Sequence, residues 1–311
     1  MLRAQATTSE RPTGDTPSDI AVGLGRLAAG ITIEINPRDA TGHAGVLARL
    51  PRGTRVFVTR FPKGTFAETL TACQILRDMG LAAVPHMPAR TADSVSAYAG
   101  LVSRLVQDCG VKEILTIAGT TDPVGDLTDT LPLFQSTALE TTGLDRIFVA
   151  GHPEGLNEAS PEAIRRALML KNEFAARSGM AIEIVTQFFF DAAPIIAWEK
   201  RIRAEGNLLP VHAGLHGVTG MSALLKHGMA CGVGASLKVL SSRMGSLLAM
   251  ATAHTPDELT RDLALAIAAD RECRFGHAHL FPFGGLQKTA DWLTALKDAR
   301  HRYDGKVLKV G

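Results

Sequence analysis

No stretch of this chain approaches the ~20 consecutive apolar residues that a membrane-spanning helix needs, so a soluble protein without a membrane partner is expected. Cysteine is sparse as well: Cys73, Cys109, Cys231 and Cys273 lie far apart and form no C-x-x-C pair. That argues against a zinc ribbon or a disulfide framework and fits a reducing cytoplasm. Charge of one sign is not in excess either, since 33 Lys and Arg face 31 Asp and Glu for a net charge of +2. Such a balance offers no strong field for nucleic acid, and a small molecule is the expected partner. Met1 to Asp19 is rich in Thr, Ser, Pro and charge and lacks an apolar centre, so it reads as a disordered lead-in and not as a signal peptide.

The rest of the chain is rich in what a core requires. Hydrophobic residues make up 46% and charged residues 21% of the 311 positions. Short β-branched runs alternate with longer stretches of helical period, the pattern of a parallel sheet wrapped by helices. Candidate strands are Ile31–Ile35, Val56–Thr59, Ala82–Pro85, Glu113–Ile117, Arg146–Ala150, Ile182–Phe189, Leu208–Ala213 and His279–Phe283. Helices are expected over Ala40–Leu50, Thr65–Met79, Ala92–Cys109, Leu127–Thr141, Pro161–Ser178, Ala193–Glu205, Thr219–Gly228 and Thr289–Arg302, with a further helical stretch over Arg243–Ala269. Eight such strands predict a (β/α)8 barrel over residues 20–311, a fold that typically takes ~250 residues as one domain. A doubly wound open sheet is the rival architecture.

In such barrels the working residues gather where strands end. Glu34 lies near the end of the first strand, just before Pro37; partial burial would raise its pKa and suit it to general-acid work, and a salt-bridged structural role is the plainer alternative. The fourth strand runs into Gly119-Thr120-Thr121-Asp122-Pro123-Val124-Gly125, which presents Asp122 above the barrel, although Asp before Pro is also an ordinary turn starter. The fifth strand ends in Gly151-His152-Pro153-Glu154-Gly155. The sixth ends in Thr186-Gln187-Phe188-Phe189-Phe190-Asp191, where strict alternation puts Gln187 and Phe189 on one face, an amide for a heterocycle edge beside a ring for stacking. His277 with His279, and His212 with His216, have spacings used by metal-dependent hydrolases, but no matching carboxylates can be assigned and no metal is expected. Gly232 to Ser236 could cradle a phosphate, and Gly23-Leu24-Gly25 precedes the first strand; both read as turns.

Taken in order, E-x-x-P, G-x-x-D-P-x-G, G-H-P-E-G and T-Q-F-F-F-D resemble the catalytic barrel of the methylenetetrahydrofolate reductase family, from about Ile31 to Gly217. Val58-Thr59 and Pro85-His86 add to the likeness. The resemblance implies interconversion of 5,10-methylenetetrahydrofolate and 5-methyltetrahydrofolate with NAD(P)H as hydride source. It implies Glu34 as the acid that protonates the departing nitrogen, and Asp122 as the carboxylate that favours the cationic iminium. Gln187 and Phe189 would hold the folate or the nicotinamide, and Thr59, His86, Gly119 and His152 would be cofactor contacts. FAD is the family's usual cofactor, yet its contact positions differ here. Thr120-Thr121 stands before Asp122 in place of Arg-Gly, His152 and Leu156 replace an aromatic and a His, and Arg166, Asn172 and Glu173 replace an acid and a basic pair. These departures predict weak or absent FAD binding. A non-redox folate-binding or methyl-carrier barrel is the alternative, and the number of subunits is left open.

Overall fold

The computed structural model describes residues 17–156, 159–230 and 253–311. In chain order the elements are α1 (Pro17–Ala29), β1 (Thr32–Ile35), α2 (Asp39–Gly42), α3 (Ala44–Leu47), β2 (Arg55–Val58), α4 (Phe66–Asp78) and β3 (Ala82–Pro88). There follow α5 (Val95–Cys109), β4 (Glu113–Ile117), α6 (Leu131–Gln135), β5 (Arg146–Gly151), α7 (Pro161–Ser178), β6 (Ala181–Phe189), α8 (Ala192–Ala204) and β7 (Val211–His216). The last are β8 (Thr219–Gly220), α9 (Met221–Ala230), β9 (Ala253–His254), α10 (Asp257–Ala269), β10 (Phe275–Phe281), α11 (Leu286–Lys297), β11 (His301–Tyr303) and β12 (Leu308–Val310).

Eight parallel strands close in the order β1-β10-β7-β6-β5-β4-β3-β2, which is the expected (β/α)8 barrel and rules out the open doubly wound sheet. Two apolar layers hold it. Outside the strands, residues such as Ile33, Val58, Ile147, Ile184 and Leu215 pack against the helices, while Phe57, Val84, Leu115, Phe148 and Val185 fill the interior. This is the alternation that a barrel strand requires.

Local chemistry sets the helix ends. Thr65 and Glu68 form a reciprocal capping box at α4, Ser94 and Ser160 cap α5 and α7, and Gly110 and Gly179 close those helices in the left-handed conformation. Asp191, the last residue of the T-Q-F-F-F-D run, accepts from Ala193 N at 3.0 Å and starts α8.

Several elements depart from the expectations. Two strands are displaced: β7 begins three residues later than expected, at Val211, and β10 begins earlier, at Phe275, so that His277 and His279 both lie inside it. The Ala40–Leu50 helix is two single turns that meet at His43, and Leu127–Thr141 contains only α6 and a 3-10 turn, Ala138–Thr141. Gly23-Leu24-Gly25 is not a turn but the middle of α1, a helix that begins within the expected lead-in. Gly23 lets α1 lie directly on α10: a Cβ there would come within 2.1 Å of Ala264 O. The Gly232–Ser236 cluster, Cys231, and the 243–252 part of the further helical stretch lie outside the described residues.

Candidate active site

Glu34 projects inward near the C-terminal end of β1. His86 of β3 brings its Nε2 to 3.3 Å from Glu34 Oε2, and His279 of β10 brings its own to 3.6 Å. Both imidazole nitrogens are buried, yet neither has hydrogen-bond geometry to a partner. Thr32 Oγ1 sits 2.7 Å from His279 Nδ1. With the hydroxyl donating to Nδ1, the ring proton resides on Nε2, the nitrogen that faces Glu34. Phe57 packs edge-on against His279, with ring centroids 4.6 Å apart, and so forms an apolar base beneath the group.

The expected raised pKa of Glu34 is not what this geometry produces. Burial does push the carboxyl upward, but His279 and His86 outweigh it and hold Glu34 at about 2. Glu34 is therefore an anion at neutral pH. Burial also pushes His279 below its ordinary value, against the pull of Glu34.

Around this carboxylate stands an aromatic wall. Phe188 lies 5.6 Å from Phe190, 5.7 Å from Phe281 and 4.6 Å from Phe283, and His227 stacks on Phe283 at 4.5 Å. Phe283 carries φ 47°, a left-handed backbone that a bulky residue rarely adopts and that tends to persist at functional sites.

The wall corrects the reading of β6. The expected alternation made Gln187 and Phe189 neighbours on one face. Pairing with β7 instead jumps from Val185↔His212 to Phe188↔Gly214, so three steps on β6 match two on β7. This bulge inverts the facing of every later residue. Phe188 and Phe190 join the cluster at the mouth, whereas Phe189 is buried in the layer between strands and helices. Gln187 is exposed at the bulge. Thr186 Oγ1 braces it by donating to Gln187 O at 2.9 Å while accepting from Gly214 N at 2.9 Å.

The other expected residues lie at the same end of the barrel. Thr59 ties the loop after β2 to β1 through N–H and Oγ1 donation to Ile35 O, at 2.9 and 3.2 Å. Gly119 turns the loop after β4 at φ 93°, where a Cβ would meet Pro88 at 2.9 Å. Asp122 stands exposed in that loop, on the same rim as Glu34 but without a hydrogen bond or ion pair to it. His152 is half-buried after β5, and burial, with a further push from the charge on Lys171, takes it down to about 4.

Lys171 of α7 was not singled out in the sequence. Burial lowers it to about 8 against the opposing pull of Asp129, so this helix does present a cation at the rim. His279, Phe281 and Phe283 were missed as site residues because only closure of the barrel sets β10 beside β1, and Phe188 because only the β6 bulge turns it inward. Among the described residues, no group of three or more His, Cys, Asp or Glu side chains is arranged to hold a metal ion. Nor is any described helix long and apolar enough to cross a membrane.

An uncharacterized protein from Clostridium thermocellum that binds two copies of 5-methyl-5,6,7,8-tetrahydrofolic acid shares the fold, with a TM-score of 0.56 and 10% identity over 90% of this chain and 98% of that one. A deoxyribose phosphate aldolase from Aeropyrum pernix matches over 90% of this chain and 99% of its own, with 16% identity and a TM-score of 0.38. The family model for methylenetetrahydrofolate reductase matches residues 35–270, which runs from the end of β1 to just past α10. This chain belongs to the methylenetetrahydrofolate reductase family.

Proposed function

We propose that the barrel acts on folate-bound one-carbon units, interconverting 5,10-methylenetetrahydrofolate and 5-methyltetrahydrofolate with NADH or NADPH. The observation that carries this reading is the half-buried Glu34 carboxylate at the mouth, flanked by the imidazoles of His86 and His279 at 3.3 and 3.6 Å. Opening the methylene bridge creates positive charge on the folate, and a fixed carboxylate in a water-poor site stabilises charge as it develops. Because its neighbours favour the ionised form, Glu34 acts by stabilising the charge that develops, and the proton for the departing nitrogen is taken from solvent at the open end of the barrel. Exposed Asp122 plays the weaker role of an outer carboxylate. Phe281 and Phe283, partly exposed and near-parallel at 5.8 Å against the packed Phe188, suit a flat heterocycle, pterin or nicotinamide. When bound, the nicotinamide supplies the two reducing electrons. The ligand of the Clostridium thermocellum protein, a methylated reduced folate, is in keeping with this substrate class.

FAD fits the rim poorly. After β4 and β5 a diphosphate would meet Lys171, whose charge burial weakens, and His152, which burial keeps neutral. The nearby Arg90 is already bonded to the backbone oxygens of Thr128 and Gly119, at 2.7 and 3.3 Å. No step is therefore assigned to a flavin. The same departures favour a second reading, a barrel that binds reduced folate without redox chemistry. Oxidation of NADH or NADPH by the purified protein decides between them: dependence on methylenetetrahydrofolate supports the reductase, and folate binding without oxidation supports the binder. A stoichiometric flavin spectrum in the protein as isolated would remove the flavin-free version.

A further inference from the structure

A cleft of about 300 Å³ opens between the loops that follow β1 and β2, with Asn36, Arg38, Arg60, Phe61 and Lys63 in its lining. Three of these side chains are cationic. The acid in the lining, Glu68, is already engaged: its carboxylate accepts from Thr65 N at 2.7 Å and from Thr65 Oγ1 at 3.1 Å in the capping box of α4. Arg60 is the anomaly. Its Nε and Nη1 are buried and have no hydrogen-bond partner, although a guanidinium in a protein remains protonated. At the opposite end of the barrel, by contrast, Arg55 and Arg146 both meet the carboxylate of Glu113. Arg60 as a whole is half-buried, but two buried guanidinium nitrogens without an acceptor are costly, and an incoming anion would relieve that cost. Beside it Phe61 is 59% exposed, an apolar platform at the lip of a charged cleft.

The position matters as much as the charge. Asn36 is two residues beyond Glu34, roughly 7 Å along an extended chain, so a ligand whose reacting ring lies at Glu34 can reach the cleft with its other end. The cleft thus combines an aromatic face, a cluster of cations and a small volume, next to the mouth but outside it.

We infer that this cleft seats the anionic end of the ligand, a multiply charged carboxylate or phosphate group on a ring-bearing body, with Arg60 as its principal contact. The inference rests on the folate reading for the identity of that body. The ring of the folate's p-aminobenzoyl unit would lie on Phe61, and its glutamyl carboxylates would meet Arg60, Arg38 and Lys63. The phosphates of the nicotinamide dinucleotide are the other source of the same chemistry.

Calorimetric titration of the full chain with 5-methyltetrahydrofolate as the mono- and pentaglutamate, in parallel with NADH and NADPH, tests this in the wild type and in the double variant Arg60→Gln/Lys63→Gln. The expected result is a preference of about five- to tenfold for the pentaglutamate, weakened by added salt and absent from the double variant. A preference for NADPH over NADH that vanishes in the double variant, without a chain-length effect, would assign the cleft to phosphate. Equal affinities within both pairs, or preferences that survive in the double variant, overturn the inference. Pyrophosphate alone separates failure here from failure of the folate reading. If no folate binds but pyrophosphate raises the melting temperature of the wild type and not of the double variant, the cleft stands and the folate assignment falls. If neither binds, both fall.

Discussion

The two ends of this barrel hold the same chemical pair, a glutamate facing a histidine, in opposite states of completion. At the N-terminal end Glu183 accepts from His212 Nε2 at 2.5 Å and pairs with Arg146 at 2.8 Å, while Arg55 and Arg146 enclose Glu113. The chain before β1 seals this floor, with Gly30 N 3.1 Å from His277 Nδ1. At the C-terminal end Glu34 has two imidazoles at 3.3 and 3.6 Å, and neither completes a hydrogen bond. The difference teaches that residue type does not mark the site. A carboxylate held by short contacts to guanidinium and imidazole groups is fixed, whereas one with only longer contacts, at the partly exposed mouth, still has capacity for a ligand. The interior rings of Phe57 and Phe148, 5.0 Å apart, separate the two groups.

The strongest way to break this contrast is Glu34→Gln. The amide keeps the shape and removes the charge, and turnover should fall on the order of a thousandfold with the melting temperature nearly unchanged. Steady-state rates alongside a melting curve check it, and a variant that keeps its rate ends the case for Glu34. The mirror experiment at the floor is Glu183→Ala, which strands His212 and leaves Arg146 with Glu113 alone. It should cost about 3 kcal/mol of stability in denaturant unfolding while the rate per folded molecule stays the same. Loss of rate in that variant would join the two ends functionally. A smaller effect is expected from Gly30→Ala, whose Cβ would come within 2.6 Å of the His277 ring: about 2 kcal/mol, again with the site intact.

Acid sharpens the same comparison more gently. Burial holds His212 near 4, below its unfolded value of ~6.5, so the unfolded chain takes up that proton first. The stability that His212 contributes is complete above ~6.5 and drains as pH falls toward about 4, by on the order of 1 kcal/mol at pH 5.5. His152 and His216, also near 4, act in the same direction. Glu34 contributes in a lower window: its share is complete above ~4.5 and is lost as pH falls toward about 2. Melting curves from pH 7 to 4 should therefore slope downward with acid, and His212→Asn should flatten the slope. An unchanged slope would show that His212 is not held neutral in the folded protein.

Much of this architecture was legible because it depends on local pattern. The β-branched runs around Val56, Ile114, Ile147 and Ile184 mark strands wherever they stand in the fold, and Thr65, Ser94 and Ser160 mark helix starts through bonds to their own backbone. Motif order pointed to the family and to Glu34 as a candidate. The facing of Phe189 was not legible, because one extra residue in β6 is defined only against its partner β7. Neither was α1, whose glycines read as a turn until α10 lies against Gly23.

By itself, then, the sequence determined the eight-strand alternation and the inventory of acids and histidines. Tertiary structure alone decided that Glu34, His86 and His279, from the first, third and last barrel strands, meet in one buried pocket. It also decided that His279 and His86 pull the Glu34 pKa down against the upward push of burial, because a pKa is set by burial and neighbouring charge, and these neighbours become neighbours only when the barrel closes.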